Sequence, residues 1–374
     1  MGKSSATALL LLHLLSSSVA NAAGARYTIS DLGVLPQGNY SAANGINNAG
    51  AVVGVAGIAD PVYPKQWPYA ITYSGGAMRT LMALPDGRQS SATAINNAGD
   101  IVGSLVVYPS NPNSGEGHPF IWRGGVPVDI GTLPGGFSGW AEDINQAGQV
   151  AGTAEGEGRM LRAFFWENGT MTNLGVPTGA QRSEATAIND AGQVVGSSFY
   201  PGFGERAFIW DRASGMTELP TAPSSGQSLA NDINNLGQVV GLIQGAPVVW
   251  ENGSIRWLLL LSSRGGVATA ANDQGQIIGE VLSADYALQC VMWENGMILD
   301  LQDLIPQNSG WRLEHALDIN DAGQIVGCGV IGGQSHGFVL TPVPEPSGLL
   351  ALLSAAGWLG GMLVCTRKTV ERGG

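Results

Sequence analysis

Charge is scarce in this chain. Asp, Glu, Lys and Arg make up 12% of its 374 residues, about half the share of an ordinary soluble protein. Histidine is scarcer still. His13, His118, His315 and His336 are the four, and they fall in separate stretches at no metal-ligand spacing. Three cysteines occur, Cys290, Cys328 and Cys365. None forms a C-x-x-C pair, which excludes zinc-ribbon and thioredoxin-like readings. Cys290 and Cys328 remain a candidate disulfide for an oxidising compartment. There is no G-x-S-x-G and no phosphate-binding loop, so two common routes to hydrolysis have no starting point. Glu155 and Glu157 lie close together, but in a Gly-rich stretch where solvated loop residues belong. No catalytic residue is assigned, and the chain reads as a non-enzyme.

What charge there is has one sign. Residues 23–342 hold 13 basic and 27 acidic side chains, a net charge of −14. Such a surface repels phosphate backbones, so nucleic acid is excluded as a partner. Hydrophobic residues are 44% of the chain and glycine is 56 residues, roughly twice average glycine usage. Abundant Gly among Val, Ile and Trp points to short strands and tight turns.

The two ends differ from everything between them. Residues 1–22 carry Lys3, an apolar run from Ala8 to Leu15 and a small-x-small site at Ala20-Asn21-Ala22, the three parts of a secretory signal peptide. Signal peptidase and Sec export follow as expected partners. Residues 343–374 begin with Pro344-Glu345-Pro346. An uncharged span from Gly348 to Thr366 follows, and then Arg367, Lys368 and Arg372. Nineteen residues make about 28 Å of helix, close to a bilayer core. The basic end favours the cytoplasm. A plain single-span anchor would account for the apolar run but not for the triplet before it.

Between the ends, residues 27–341 contain one pattern seven times, I-N-x-x-G-x-x-x-G. Its copies begin at Ile46, Ile95, Ile144, Ile188, Ile233, Ala271 and Ile319. A period in this range signals a propeller or a solenoid. Each copy reads as four strands, as in 185–189, 193–196, 207–210 and 171–174. Asn168-Gly169, Asn252-Gly253 and Asn295-Gly296 supply hairpin turns after the third strand. The motif's N-x-x-G is a second tight turn. Its Asn and Gly read as structural. The copy at Ala271 has lost its Ile, so the count of complete blades rests on whether that copy is whole.

Two features favour a closed ring. Three residues before each motif start stands Ala (43, 92, 141, 185, 230, 268, 316), and one before stands Gly45, Ala94, Asp143, Ala187, Asp232, Ala270 or Asp318. Simple strand alternation puts both positions on one crowded face at the axis. The last copy also stops after its third strand, while Tyr27–Leu35 matches a fourth strand such as Val128–Leu133. The expected fold is an all-β, seven-bladed propeller of four-stranded blades closed by the N-terminal strand. A signal peptide precedes it and a single C-terminal transmembrane helix, residues 348–366, follows it.

The Pro344-Glu345-Pro346 triplet, apolar span and basic end resemble the PEP-CTERM sorting signal of Gram-negative bacteria, although the basic end is dilute. The resemblance implies exosortase as a partner, with Pro344, Glu345, Pro346, Arg367 and Lys368 as the signal. It also implies an inner-membrane-anchored intermediate that becomes a cell-surface or extracellular protein linked to exopolysaccharide. His118-Pro-Phe, Arg162-Ala-Phe, Arg206-Ala-Phe and His336-Gly-Phe resemble the HAF repeats of exported bacterial proteins, a family that offers no catalytic residues to carry over. His118 and His336 share their repeat position with Arg162 and Arg206 and read as strand-start residues.

Two candidate sites remain. Asp143, Asp232 and Asp318 occupy one motif position in the third, fifth and seventh copies. If that position faces the axis, they converge as oxygen ligands for a cation such as Ca²⁺. The alternative is that each bonds backbone amides beside its turn. The other candidate is aromatic. Tyr63, Trp67, Tyr108, Phe199 and Tyr200 fall in long connections between second and third strands, where a shared face would form a glycan-stacking platform; Trp140 and Trp311 belong near the same face. The bland alternative is that these side chains pack down their own loops. The expected function is a non-catalytic binding or structural propeller, with a polysaccharide-active hydrolase or lyase as the alternative.

Overall fold

The computed structural model describes residues 25–59, 66–81, 89–107, 116–221 and 226–344. Residues 1–22, expected as a signal peptide, most of the expected sorting signal (Glu345, Pro346, Arg367 and Lys368 included) and Tyr63 and Tyr108 lie outside the described residues. The chain divides into residues 1–341 and 342–374. Among the described residues no helix is long and apolar enough to cross a membrane.

Residues 27–342 form seven four-stranded antiparallel sheets arranged as the blades of a propeller. Blade 3 shows the plan: strands Gly139–Ile144, Val150–Glu155, Leu161–Glu167 and Thr170–Asn173 run from the innermost to the outermost position. Blades 1, 2, 4, 5 and 6 repeat it over 41–80, 90–129, 182–218, 228–257 and 266–300. The copy that lost its Ile is a complete blade, with strands Gly266–Ala271, Ile277–Leu282, Leu288–Glu294 and Met297–Asp300. Blade 7 takes three strands from residues 312–342, and its outermost strand is Tyr27–Asp31, as the sequence match implies.

The match is atomic. Asp31 Oδ1 accepts from the Gly33 amide just as Asp129 Oδ1 accepts from Gly131, with both glycines at positive φ (71° and 77°). Leu32 N donates to Gly337 O at 3.0 Å. His336 on the third strand then bonds Asp31, as His118 bonds Asp129 and Arg206 bonds Glu218 in their own blades. The shared His/Arg position is a cross-strand partner for an acid on the fourth strand in these three blades; in blade 3, Arg162 bonds the Leu161 and Gln181 carbonyls instead.

The turns are as the sequence reads. Asn168, Asn252 and Asn295 sit at φ 50–52° and the glycines after them at 72–85°, the double left-handed pattern of a tight hairpin. The motif's second glycine answers a different need. A Cβ on Gly196 would lie 2.0 Å from the Glu184 carbonyl oxygen, and one on Gly327 would lie 1.9 Å from that of His315. The first strand runs too close for any side chain there.

One expectation fails. The Ala position and the position before the motif Ile do not share a face. Each first strand shifts register between them (Ala43/Gly45 and Ala141/Asp143, for example), because a β-bulge inserts one residue and breaks the alternation. The Ala packs back on the preceding blade: Ala92 joins Val53 and Ala70 of blade 1. The residues after it reach forward: Thr93 Oγ1 donates to Ala141 O at 2.9 Å.

The core is divided the same way. Each hydrophobic cluster is shared by two neighbouring blades, and one of them joins Val326 and Val339 of blade 7 to Ile46 and Val52 of blade 1. Phe120, Phe164, Phe208 and Phe338 occupy one repeat position on third strands and are fully buried, each worth about 1.5–3 kcal/mol of apolar burial. Serines at the first-strand starts stitch the interfaces: Ser90, Ser183, Ser228 and Ser41 accept from Ala70, Ala163, Ala207 and Gly337 of the preceding blade.

Candidate functional site

Antiparallel meanders place two kinds of turn at each end of the barrel. First-to-second and third-to-fourth turns share one end; second-to-third turns and inter-blade connections share the other. At the first end the motif turns surround a bowl of about 360 Å³ on the axis.

The bowl is held by two closed circuits of hydrogen bonds. In the first, each motif Asn donates from Nδ2 to the backbone oxygen of the motif Asn in the next blade: 47 to 96, 96 to 145, 145 to 189, 189 to 234, 234 to 272, 272 to 320 and 320 back to 47, at 2.9–3.3 Å. In the second, the residue after each Asn donates its amide to the side-chain oxygen of its counterpart in the next blade. Asn48, Asn97, Gln146, Asp190, Asn235, Asp273 and Asp321 are linked in that order and back to Asn48, at 2.8–3.0 Å. The same Asn also closes its own turn, as Asn189 Oδ1 does for Gln193 N. In blades 3 to 7 its second Nδ2 hydrogen meets the Gln four residues on. Gln149, Gln238 and Gln276 in turn hold Glu167, Glu251 and Glu294 of the W-E-N-G turns. These asparagines are 2–6% exposed, and a buried amide left unpaired would cost about 1–3 kcal/mol.

The first strand supplies a third set. Asn96 N donates to Asp100 O and Ile95 pairs with Ile101, so Ile95 is a non-hydrogen-bonded pair whose N–H points away from the second strand, toward the axis. The same holds in every blade. Asp143 accepts from its own Ile144 (2.7 Å) and from Ile188 of the next blade (2.8 Å). Asp232 does so for Ile233 and Ala271, and Asp318 for Ile319 and Ile46. Three carboxylates thus serve six of the seven inward amides.

Those carboxylates are the trio singled out in the sequence. They sit near one another at the axis: Asp143 and Asp318 add to the electrostatic load on Asp232, and Asp143 adds to that on Asp318. Burial, reinforced by like charge, pushes Asp232 up to about 7 and Asp318 up to about 6, and Asp143 is raised as well. Their oxygens are used on protein amides. Among the described residues no group of three or more His, Cys, Asp or Glu has the arrangement to hold a metal ion. Bonding to backbone amides, the alternative reading of these residues, is what the geometry shows, extended across the blade boundary.

The described members of the aromatic set lie on strands. Trp67 is in the third strand of blade 1, opposite Ile58, and half-buried. Phe199 and Tyr200 end the second strand of blade 4, which turns tightly to Gly204. Tyr200 is buried, its hydroxyl bonds Glu218, and Arg206 covers its ring at 5.1 Å. Arg182 lies over Phe199 at 4.9 Å. These two rings pack within their own blade. Trp140 lies in the first strand of blade 3, and Trp311 is buried edge-on against Phe338. Cys290 and Cys328 are both free.

A group the sequence gave no reason to pick out is Glu142, which lies at the bulge of blade 3. Burial pushes its carboxyl up to about 7, with the charges of Asp143 and Glu184 adding to the rise.

The fold defines the chain as a seven-bladed β-propeller of inward-clasped repeats. A family model described as a protein of unknown function, DUF3466, matches residues 170–339. No curated protein matches the chain. Among solved structures it is similar to a catalytically inactive virginiamycin B lyase from Staphylococcus aureus with quinupristin. That likeness has a TM-score of 0.54 and 10% identity, over 85% of this chain and 100% of that one. TolB from Acinetobacter baumannii has a TM-score of 0.42 and 12% identity, covering 78% of this chain, which spans 64% of TolB. The Aleuria aurantia lectin with Fucalpha1-6GlcNAc has a TM-score of 0.35 and 13% identity, over 71% of this chain and 96% of the lectin. At such identities the likeness speaks to fold alone.

Proposed function

We propose that this chain is an exported, non-catalytic binding propeller of the cell surface or extracellular matrix, associated with exopolysaccharide. The observation that carries the binding role is the axial bowl. Side-chain amides and carboxylates, held in register by two complete circuits, line its wall together with the motif Ile residues. Such a rigid polar recess suits a hydroxylated ligand, since its groups need not be ordered on binding. The export reading rests on the two chain ends: the signal peptide of 1–22, and a tail whose Pro344-Glu345-Pro346 and basic end fit exosortase.

Intact mass of the protein recovered from the host's surface tests export. A species running from about Ala23 to near Pro346 supports signal peptidase and exosortase processing, whereas retention of 348–366 points to a plain anchor. Co-sedimentation with the host's exopolysaccharide tests binding, and absence of saturable retention overturns it.

A second reading, polysaccharide hydrolysis or lysis, draws on Glu142. Burial pushes this carboxyl up to about 7, so it can hold a proton near neutrality as a general acid does. Release of reducing or unsaturated ends by the chain, lost in Glu142→Gln, would favour it over binding alone.

A further inference from the structure

The amide circuit at the axis has one gap, and the gap is built in. The clip residue of each odd blade from the third onward is Asp, and each Asp spans two blades, so blades 3, 4, 5, 6, 7 and 1 are served. Blade 2 is left over. Ile95 lines the bowl and its N–H points inward by register. The two residues placed to supply an acceptor are Gly45 of blade 1 and Ala94 of blade 2, and neither carries one. Ile95 is partly buried on the wall of the recess, and an amide donor left there without a protein partner is a ready anchor for an oxygen from outside the chain.

The surroundings of the gap differ from the rest of the bowl. Asn97 and Gln146 flank it and use their carbonyl oxygens on the preceding blade's amides, leaving their NH₂ groups as donors on the rim. Beyond them the wall turns acidic at Asp190, Asp273 and Asp321, interrupted by Asn235; Asn235 and Asn48 donate to Asp273 and Asp321, and each carboxylate keeps lone pairs for a further donor. One side of the bowl therefore offers donors and the other acceptors. A cation finds no acceptor on the amide side. An anion meets three rim carboxylates and the buried trio behind them. A group bearing several neutral hydroxyls both accepts and donates, and it satisfies both sides at once.

We propose that the gap at Ile95 is the seat of a neutral, hydroxyl-bearing sugar unit. One of its oxygens accepts from Ile95 N–H, and its hydroxyls donate to the acidic rim. This rests on the binding role stated above and adds the site and the ligand's charge class.

The test fills the gap from inside. Ala94→Asp supplies the carboxylate that blades 3, 5 and 7 already carry, and Ala94→Asn supplies an uncharged acceptor at the same place. Calorimetric titration of the full chain uses neutral cello- and malto-oligosaccharides as probes, with oligogalacturonate as the acidic counterpart. The expected result is saturable binding of a neutral probe, weakened at least tenfold in both variants while their melting temperature holds or rises, and no binding of oligogalacturonate. Wild-type affinity in a folded Ala94→Asn would overturn the site. Preference for oligogalacturonate, or no neutral probe bound at millimolar concentration, would overturn the ligand class. In either case retention on the host's own polysaccharide decides separately whether the broader binding role stands. If Ala94→Asp does not fold, Ala94→Asn carries the test.

Discussion

The two ends of the propeller solve the same problem differently. At the motif end seven turns of equal length meet, and each hands a hydrogen bond to the next. At the opposite end the connections differ in length from blade to blade. The tight turn after Tyr200 and the capped helical turn Leu301–Leu304 are both found there. Their side chains pack locally: Arg206 over Tyr200, Arg159 over Phe137, and Gln302 back onto Trp311 and Leu313. One end is a single cooperative object, and the other is a set of separate local solutions. Sequence variation is therefore expensive at the first and cheap at the second.

The largest effect should come from undoing the closure on which the circuits depend. Deleting residues 26–35 removes the outermost strand of blade 7 and, with it, Leu32 and Leu35 from the blade 7–blade 1 core. Loss of the cooperative thermal transition is expected in calorimetry.

Next comes a single cut in the motif-end circuit. Asn189→Ala strips the amide from two acceptors and the turn from its Oδ1 cap, so denaturant unfolding should show a loss of about 3 kcal/mol. Phe203→Ala, at the opposite end and 62% exposed, should stay within about 0.5 kcal/mol. Equal losses from the two would erase the contrast.

A pH series probes the trio behind the bowl. Asp232 and Asp318 have folded-state values of about 7 and about 6, above the unfolded carboxylate value of about 3.9. The folded state therefore binds the extra protons, and stability is lost as pH rises through that interval. The melting temperature should climb by a few degrees from pH 8 to pH 5, and the Asp232→Asn, Asp318→Asn double variant should show a flatter profile. A wild-type melting temperature that falls over the same interval would contradict the assignment.

The smallest effect belongs to the outer strands. His118→Ala and Arg206→Ala each break an exposed cross-strand pair with Asp129 or Glu218, and such pairs contribute at most about 1 kcal/mol.

How much of this could be read from the chain follows from how local each feature is. Turns made by adjacent residues were legible: Asn-Gly after each W-E and Gly four residues into the motif fix the strand boundaries. The clasp was legible because Asp31-Leu-Gly33 repeats the chemistry of Asp129-Ile-Gly131. The bulge was not. An A-x-x-I spacing looks the same whether or not alternation is broken, so the Ala and Asp positions were put on one face when they oppose each other. The Asn circuit was also hidden. Its links join residues 38 to 49 positions apart, or 273 at the closure, and each Asn alone looks like a turn residue. Whether the Asp trio faces the axis was left open by the sequence. Its bonding to amides of two blades needed coordinates. Phe199 and Tyr200 look like loop residues because Pro201-Gly202 follows, but the strand simply runs to the turn.

The clasp also decides how the molecule bears load. The last described strand, Gln334–Pro342, is not the edge of blade 7. It lies between Ile325–Ile331 and Tyr27–Asp31, and Thr28 Oγ1 bonds the Thr341 carbonyl near its end. A pull applied at Thr341 along the strand must therefore shear two hydrogen-bonded ladders together. A blade finished in the ordinary order would present an outermost strand that unzips one bond at a time. Lending the first strand to the last blade makes the exit point of the chain its mechanically protected one.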